Sequence, residues 1–515
     1  MSEVLRSQVQ RMLDAGVLLS PDYLQGGYEL PESVADNRVL VLSGEVVPLL
    51  EKEQVNWGEL EKARAIFERT SDQRLYLTIL EALREEAPQK PAAPSGAFPP
   101  PEVVSSYQVE AKSWKVQDFV SHLRARLTVL SRMLREHKDL QGAAALRRLQ
   151  DSSGHVCAIG LVREKRDTKG GNVLIVLEDQ SGWAKILVSS SKPELFRVAR
   201  DISPDEVLGV IGSKKGDFIF ANDIILPDIP LSTELKKYPG DCAIAVISDI
   251  HAGSINFLEQ EFDRFLQWIR GEFGTEEQRQ LAKKVGYLFV VGDLVAGVGV
   301  YPGQEEELVL PGLAAQFKRI AELLSRVPER IHIIAIPGNH DGIRLAEPQP
   351  AFSPELAGPL LQLPNLTLVS NPSLIRILRS DDFPGFDVLL YHGYSFVHYA
   401  ESVDTIRSAG GVDKPEEIMR YLLTRRHLAP THGSAIAVPD PACDPLVIDT
   451  VPDFFLSGHL HKSAVANYRN VTMICGSCWE QETSFQKKLG LHPEPARVPV
   501  IDLRTRDVKV LKFGE

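Results

Sequence analysis

The stretch Cys242–Ser254, CAIAVISDIHAGS, decides how this chain is read. Its apolar run from Ala243 to Ser248 has the length and composition of a buried strand, and it stops at Asp249-Ile250-His251. Residues i and i+2 of a strand share a face, so a carboxylate and an imidazole are presented side by side. That pair of donors suits a first-row divalent cation. Four further stretches repeat the plan. VGYLFVVGDLVAG runs into Gly292-Asp293, RIHIIAIPGNHDGIR into Asn339-His340-Asp341, DVLLYHGYS into His392, and PDFFLSGHLHK into His459-Leu460-His461. A single Asn after Pro-Gly is an ordinary turn residue, and a single strand-end His is an ordinary surface residue. Five apolar strands that all end this way are explained together by one metal centre at a sheet edge. Nine of the 13 histidines fall between His251 and His461, which the same centre accounts for.

The rest of the chain is organised around that half. With 515 residues there is room for about three or four domains. At 43% hydrophobic and 24% charged the composition is that of an ordinary globular protein. No run of about 18 apolar residues exists to span a membrane, and the charged start MSEVLRSQVQRMLDAG lacks a secretion signal's apolar core. Five cysteines, an odd and sparse set, fit reduced thiols in the cytoplasm. Cys475 and Cys478 have CxxC spacing but no second pair to complete a zinc site, so they are expected as reduced, partly buried thiols.

Residues 1–86 show helical periodicity and are expected to form an N-terminal helical module. Six prolines between Pro88 and Pro101 mark residues 87–105 as a linker. Residues 106–152 form a helical segment with an apolar stripe of Phe119, Leu123, Leu127, Leu130 and Leu134. Glu110–Asp151 holds nine Lys/Arg against five Asp/Glu, a local +4 inside a chain of net charge −12. Two readings stay open for it: a solvated helix face, or a basic element near a nucleic-acid path. Residues 153–232 change to strand periodicity, with five short strands and a helix, PELFRVARDI, after the third. That order is that of an OB-fold β-barrel. Its candidate stacking aromatics are Trp183, Phe218 and Phe220, and a purely structural barrel is an equal alternative. Residues 240–515 carry the metal motifs.

The ordered set DxH, GD, GNHD, H and GHxH over about residues 243–465 resembles the calcineurin-like metallophosphoesterases. The resemblance implies an α/β fold, a four-layer sandwich, with two divalent metals. By that likeness Asp249, His251, Asp293 and His461 would hold one metal, and Asp293, Asn339, His392 and His459 the other. Nitrogen and oxygen donors favour Mn²⁺, with Fe²⁺, Zn²⁺ or Mg²⁺ as alternatives. His340 matches the family position that stabilises the phosphate or protonates the leaving oxygen, and Asp341 would orient His340 or its loop. These two are the candidate catalytic residues. Double-strand-break repair nucleases of the superfamily carry a second histidine where this chain has Ala296, so its role is absent or supplied elsewhere, for example by the loop Tyr301–Glu307.

GNHDGIRLAEPQP, GVGVYPGQE, RRHLAPTHG and the barrel ahead of the phosphoesterase resemble the small subunits of archaeal family-D DNA polymerases over about residues 106–515. That likeness implies a 3′→5′ exonuclease that removes mismatched 3′ nucleotides from DNA, especially single-stranded or mismatched ends. It also implies a large catalytic polymerase subunit as partner, with contact to a sliding clamp only through the holoenzyme. A silent scaffold subunit and a phosphatase for small phosphoesters are the alternatives. His427 and His432, beyond the ligand set, have two readings: residues near the substrate cleft, or satisfied loop histidines.

Overall fold

A computed structural model describes residues 98–108 and 112–514, together with two short strands, Leu18–Leu19 and Val41–Leu42, which pair in parallel. The chain divides into two units, Met1–Ala92 and Ala93–Glu515. The expected helical module of residues 1–86 lies outside the described residues apart from those two strands.

The second unit opens with a difference from expectation. Within the stretch read as linker, Glu102–Ser106 is a strand, β1. Pro99, Pro100 and Pro101 precede it, which leaves the β-branched Val103 and Val104 free to pair at a sheet edge. The residues ahead of the strand are fastened too. The Phe98 carbonyl meets His332 Nε2 at 2.7 Å, and the Tyr287 hydroxyl donates to the Pro99 carbonyl at 2.6 Å.

Helix α1, Val116–Leu134, follows. Leu130 and Leu134 pack with Leu140 onto Ile159, Leu161 and Val207 of a barrel. That barrel consists of β2 (Gly154–Asp167), β3 (Val173–Glu178), β4 (Trp183–Val188), helix α2 (Pro193–Asp201), β5 (Val207–Lys215) and β6 (Phe218–Ile225). It closes in the order β2-β3-β4-β6-β5, with β4 and β6 parallel. Alternation drives Ile175, Leu177, Ile186, Val188, Val210 and Ile219 inward to one core.

The remaining chain builds two six-stranded sheets. The first takes β7 (Ala243–Ile247), β8 (Val285–Val291), β9 (His332–Ile336), β10 (Leu366–Leu368), β16 (Arg497–Asp502) and β17 (Val508–Lys512), in the order β10-β9-β8-β7-β16-β17. The second takes β1 with β11 (Ser373–Ile377), β12 (Phe386–Leu390), β13 (Phe454–Ser457), β14 (Ala464–Tyr468) and β15 (Val471–Cys475), in the order β14-β15-β13-β12-β11-β1. Three cores show how they stack. Ile244, Val246, Phe289 and Ile334 of the first sheet meet Ile375, Val388, Phe454 and Ile474 of the second. The outer face of the first sheet packs Ala245 and Val290 on α3 (Glu259–Ile269) and α5 (Leu313–Leu324), α4 (Glu276–Lys284) lying between these in the chain. The outer face of the second packs Leu389, Phe455 and Met473 on α6 (Phe396–Ser402) and α7 (Pro415–Arg425). Strands covered on both sides read as unbroken apolar runs, which is why β7, β8 and β9 are legible in the sequence. No helix among the described residues is long and apolar enough to cross a membrane.

Two histidines take the satisfied reading left open for them. His427 is fully buried, and its Nε2 meets Asp444 Oδ2 at 2.9 Å; the same carboxylate takes Arg126 Nε of α1 at 2.6 Å and lies 3.2 Å from His122 Nε2. His432 sits edge-on to Phe119, with its backbone N–H on Asp205. Both histidines therefore fasten α1 and the barrel to the two-sheet part of the chain and do not enter the strand-end cluster. The basic surplus of the helix is partly spent in the same way: Arg126 is buried and Arg132 pairs with Asp449.

Burial, with the Arg126 charge, pushes the His427 imidazole down from 6.5 to about 4. The folded chain keeps it neutral while the unfolded chain takes up a proton below about 6.5, so this group lowers stability as pH falls from 6.5 toward 4. Urea midpoints measured across that range should fall less steeply for His427→Gln than for the parent chain. Asp444→Asn should cost roughly 3–5 kcal/mol near neutral pH, because Arg126 is left buried without its counter-charge.

Candidate metal centre

Each of the five motifs begins where a parallel strand ends. β7 delivers Asp249 and His251, β8 delivers Asp293, β9 leads into Asn339 and His340, β12 is followed by His392, and β13 by His459 and His461. β7, β8 and β9 are neighbours in one sheet, and β12 and β13 neighbours in the other, so two sheets converge on one place.

Ligand-type atoms lie within 4.8 Å of one another in three groups: Asp249, His251 and His461; His251, Asp293 and His340; and Asp293, His392 and His459. Asp293 Oδ2 is 3.3 Å from His392 Nε2, 3.9 Å from His251 Nε2 and 4.0 Å from His340 Nε2. His251 Nε2 and His461 Nε2 are 3.1 Å apart, and His461 Nε2 is 3.4 Å from Asp249 Oδ1. Asn339 Oδ1 reaches within 3.0 Å of His392 Nε2. Eight of the nine sequence-predicted residues therefore come together. Asp341 stands behind them. Its carboxylate accepts the N–H groups of Gly338 and Val295, which ties two motif loops together without touching the His340 ring.

The backbone bends sharply to achieve this. Asp249, His251 and Asp293 each have φ of 52°, His459 has 69° and His461 has 55°. Left-handed backbone costs a non-glycine residue about 1–2 kcal/mol, and clusters of it mark functional sites. The motif glycines leave space where a side chain cannot go. A Cβ on Gly292, at φ 81°, would overlap His392 Nδ1, and one on Gly338 would overlap the Asp293 carboxylate.

Titration follows the crowding. Burial opposes charge on His392, but Asp293 beside it pushes the imidazole up to about 10. Burial, reinforced by the His392 charge, brings His459 down to about 3. Burial and then Asp293 push Asp341 up to about 7. Burial works to raise Asp293, yet His392 and His340 hold it well below the usual carboxylate range.

The donor set fits divalent cations. The Val291 carbonyl can only accept, so at 3.0 Å it takes the His392 Nδ1 proton and leaves the neutral ring's Nε2 as a lone pair. That lone pair faces two more acceptors, Asn339 Oδ1 and the Asp293 carboxylate. Acceptors converging there call for a positive charge, met by the second proton on His392, which is pushed up to about 10, or by a divalent cation in that proton's place. The Ala296 carbonyl holds His340 Nδ1 at 2.8 Å in the same way and turns Nε2 toward the cluster. The position where a second histidine was sought thus contributes through its backbone.

A family model for the calcineurin-like phosphoesterases matches residues 243–463. DNA polymerase II small subunit of Methanothermobacter thermautotrophicus is 38% identical over 78% of this chain and 80% of its own length. The chain belongs to the family of archaeal DNA polymerase II small subunits. The family member from Archaeoglobus fulgidus is 36% identical over 78% of each chain. Against the longer member from Pyrococcus abyssi, identity is 39% over 78% of this chain but only 63% of that protein.

Two features around the centre were not read from the sequence. Gln486 meets His461 Nδ1 at 2.9 Å, from a short helix, α8 (Ser484–Leu489), capped by Thr483. Thr483 and Gln486 form a capping box, a signal visible in TSFQ but silent about what the helix approaches. The two cysteines are free and fully buried, beyond the partial burial expected, with Cys475 Sγ donating to the Gly458 carbonyl.

Gly338→Ala should leave the far-ultraviolet spectrum of the chain unchanged and weaken Mn²⁺ uptake by roughly 10–100-fold in calorimetry, the range seen when a ligand's surroundings are disturbed. Unchanged uptake would mean that the Asp293 carboxylate has room the structure denies it.

Proposed function

We propose that this chain is the exonuclease subunit of a heterodimeric archaeal replicative polymerase and hydrolyses 3′-terminal phosphodiester bonds of DNA with two divalent cations, Mn²⁺ foremost. Asp249, His251, Asp293 and His461 would hold one cation, and Asp293, Asn339, His392 and His459 the other. The observation that carries the reading is the convergence of acceptor atoms on Asp293 from two sheets. Bound there, the pair would supply Lewis-acid activation of a water and neutralise phosphate charge.

The chain's own residues account for the rest. Asp293 belongs to both groups and sets their spacing. His340, with Nδ1 fixed on the Ala296 carbonyl, keeps Nε2 at a side chain 17% exposed, where the protonated ring can give its Nε2 proton to the leaving oxygen. Asp341 positions the loops that present Asp293 and His340. Around this site we infer the four-layer sandwich of the family and an OB-fold for the closed barrel. The small-subunit name of its relatives supports a large polymerase subunit as partner, and with that partner we propose unpaired 3′ ends of DNA as substrate, contact with a sliding clamp through the holoenzyme, and the cytoplasm as location.

The test uses the purified chain, alone and with the large subunit, Mn²⁺, and a 5′-labelled primer with a terminal mismatch. Stepwise shortening is expected, lost on chelation, lost in Asp293→Asn and slowed at least about 100-fold in His340→Ala. Hydrolysis of p-nitrophenyl phosphate with the primer intact would establish a phosphatase instead. Metal uptake without turnover under either condition would establish a scaffold.

A further inference from the structure

Next to His340 the cleft carries an aromatic pair that the metal chemistry does not use. The Tyr301 and Phe485 rings are stacked, with centroids 5.3 Å apart and planes 20° from parallel, and Tyr301 lies 6.5 Å from the His340 ring. Phe485 is 40% exposed and belongs to none of the cores described above. Val298 and Val300, on the same loop as Tyr301, are exposed as well.

The pair is held firmly from behind. The Tyr301 hydroxyl donates to Glu307 Oε2 at 2.8 Å, and Glu307 Oε1 accepts the backbone N–H of Ser484 at 3.4 Å, so the loop of Tyr301 is tied to the helix that carries Phe485. Through Gln486 that helix also reaches His461. One short element thus fixes the aromatic pair relative to the centre.

We propose that Tyr301 and Phe485 form a stacking step that positions the nucleobase of the 3′-terminal nucleotide beside His340. The proposal rests on the nuclease reading above and names the part of the substrate that reading leaves unplaced. Every nucleobase has a π face, so a stacking step accepts any terminal base, as removal of misincorporated nucleotides requires. An unpaired base can settle on the step directly, whereas a paired one must first leave its own stack at a cost of a few kcal/mol. The step therefore favours frayed and mismatched ends. Tyr301 and Phe485 are positioning residues: they orient the nucleotide and take no part in proton transfer.

The experiment compares two single-stranded oligonucleotides, identical except that one ends in an abasic 3′ residue, with the full chain and Mn²⁺. The parent chain should cleave the base-bearing end with kcat/KM roughly tenfold higher, the difference appearing mainly in KM. Tyr301→Ala and Phe485→Ala should bring that ratio close to one, while Tyr301→Phe keeps it, because the ring and not the hydroxyl is at work. Circular dichroism and Mn²⁺ calorimetry on each variant separate loss of stacking from loss of the fold or of the centre. Cleavage of both ends with no preference in the parent chain, or a preference unchanged in both alanine variants, would overturn the stacking step and leave the nuclease reading standing. Cleavage of neither end, with or without the large subunit, would overturn both.

Discussion

The Asp293 carboxylate is the constraint on which the rest of the site depends. One sheet places it, and histidines from both sheets close around it. His392 is within 3.3 Å, and the backbone N–H of His340 donates to its other oxygen at 2.8 Å. Its own carbonyl accepts the N–H groups of Ile250 and His251, so the loop after β7 is hung from the loop after β8. A buried carboxylate is costly unless charge and hydrogen bonds compensate it. Here the compensation comes from residues more than forty positions away in the chain, which links the geometry of the centre to the packing of the two sheets. The left-handed backbone at five of the cluster residues is tolerated for the same reason: the fold on either side fixes it.

The strands and their ends were legible because they obey local rules. β7, β8 and β9 are covered on both faces, so each is an unbroken apolar run, and the change to Asp, Asn or His shows where the strand leaves the core. The barrel was legible from alternation and from the helix after its third strand. Long-range partnerships were not. His427 looked like a spare cleft histidine because it lies in a His- and Arg-rich stretch, yet its partner, Asp444, is shared with Arg126, some 300 positions earlier. Nothing near Arg126 in the sequence distinguishes a buried arginine from a solvated one. Glu102–Ser106 was hidden differently: the prolines before it mask an edge strand whose partner, Ser373–Ile377, is equally distant.

Charge distribution matters more here than the total. A net −12 seems unsuited to a DNA-directed protein, but part of the acidic content is committed inside, in Asp249, Asp293, Asp341 and Asp444, all buried. Of the basic residues of α1, Arg126 is drawn into an internal pair, while Arg132 pairs with Asp449 at the surface. A formal sum counts these buried charges as though they faced the solvent, and it omits any cation held at the centre. Beside the centre, the exposed side chains of Val298, Val300 and Phe485 are apolar or aromatic.

The edge strand at Glu102–Ser106 has a consequence for how the molecule is made. It joins the second sheet beside Ser373–Ile377, and the Tyr107 backbone N–H reaches Ser370 Oγ across 263 positions. Between these two partners the chain completes the barrel and most of the first sheet. During synthesis the strand therefore emerges long before its neighbour exists and waits, unpaired, while the barrel folds as a local unit. The barrel is in effect an insertion into the phosphoesterase, and a fragment beginning after it would leave the second sheet with an open edge at β11. The two parts form one compact unit, although the sequence sets them side by side as separate domains.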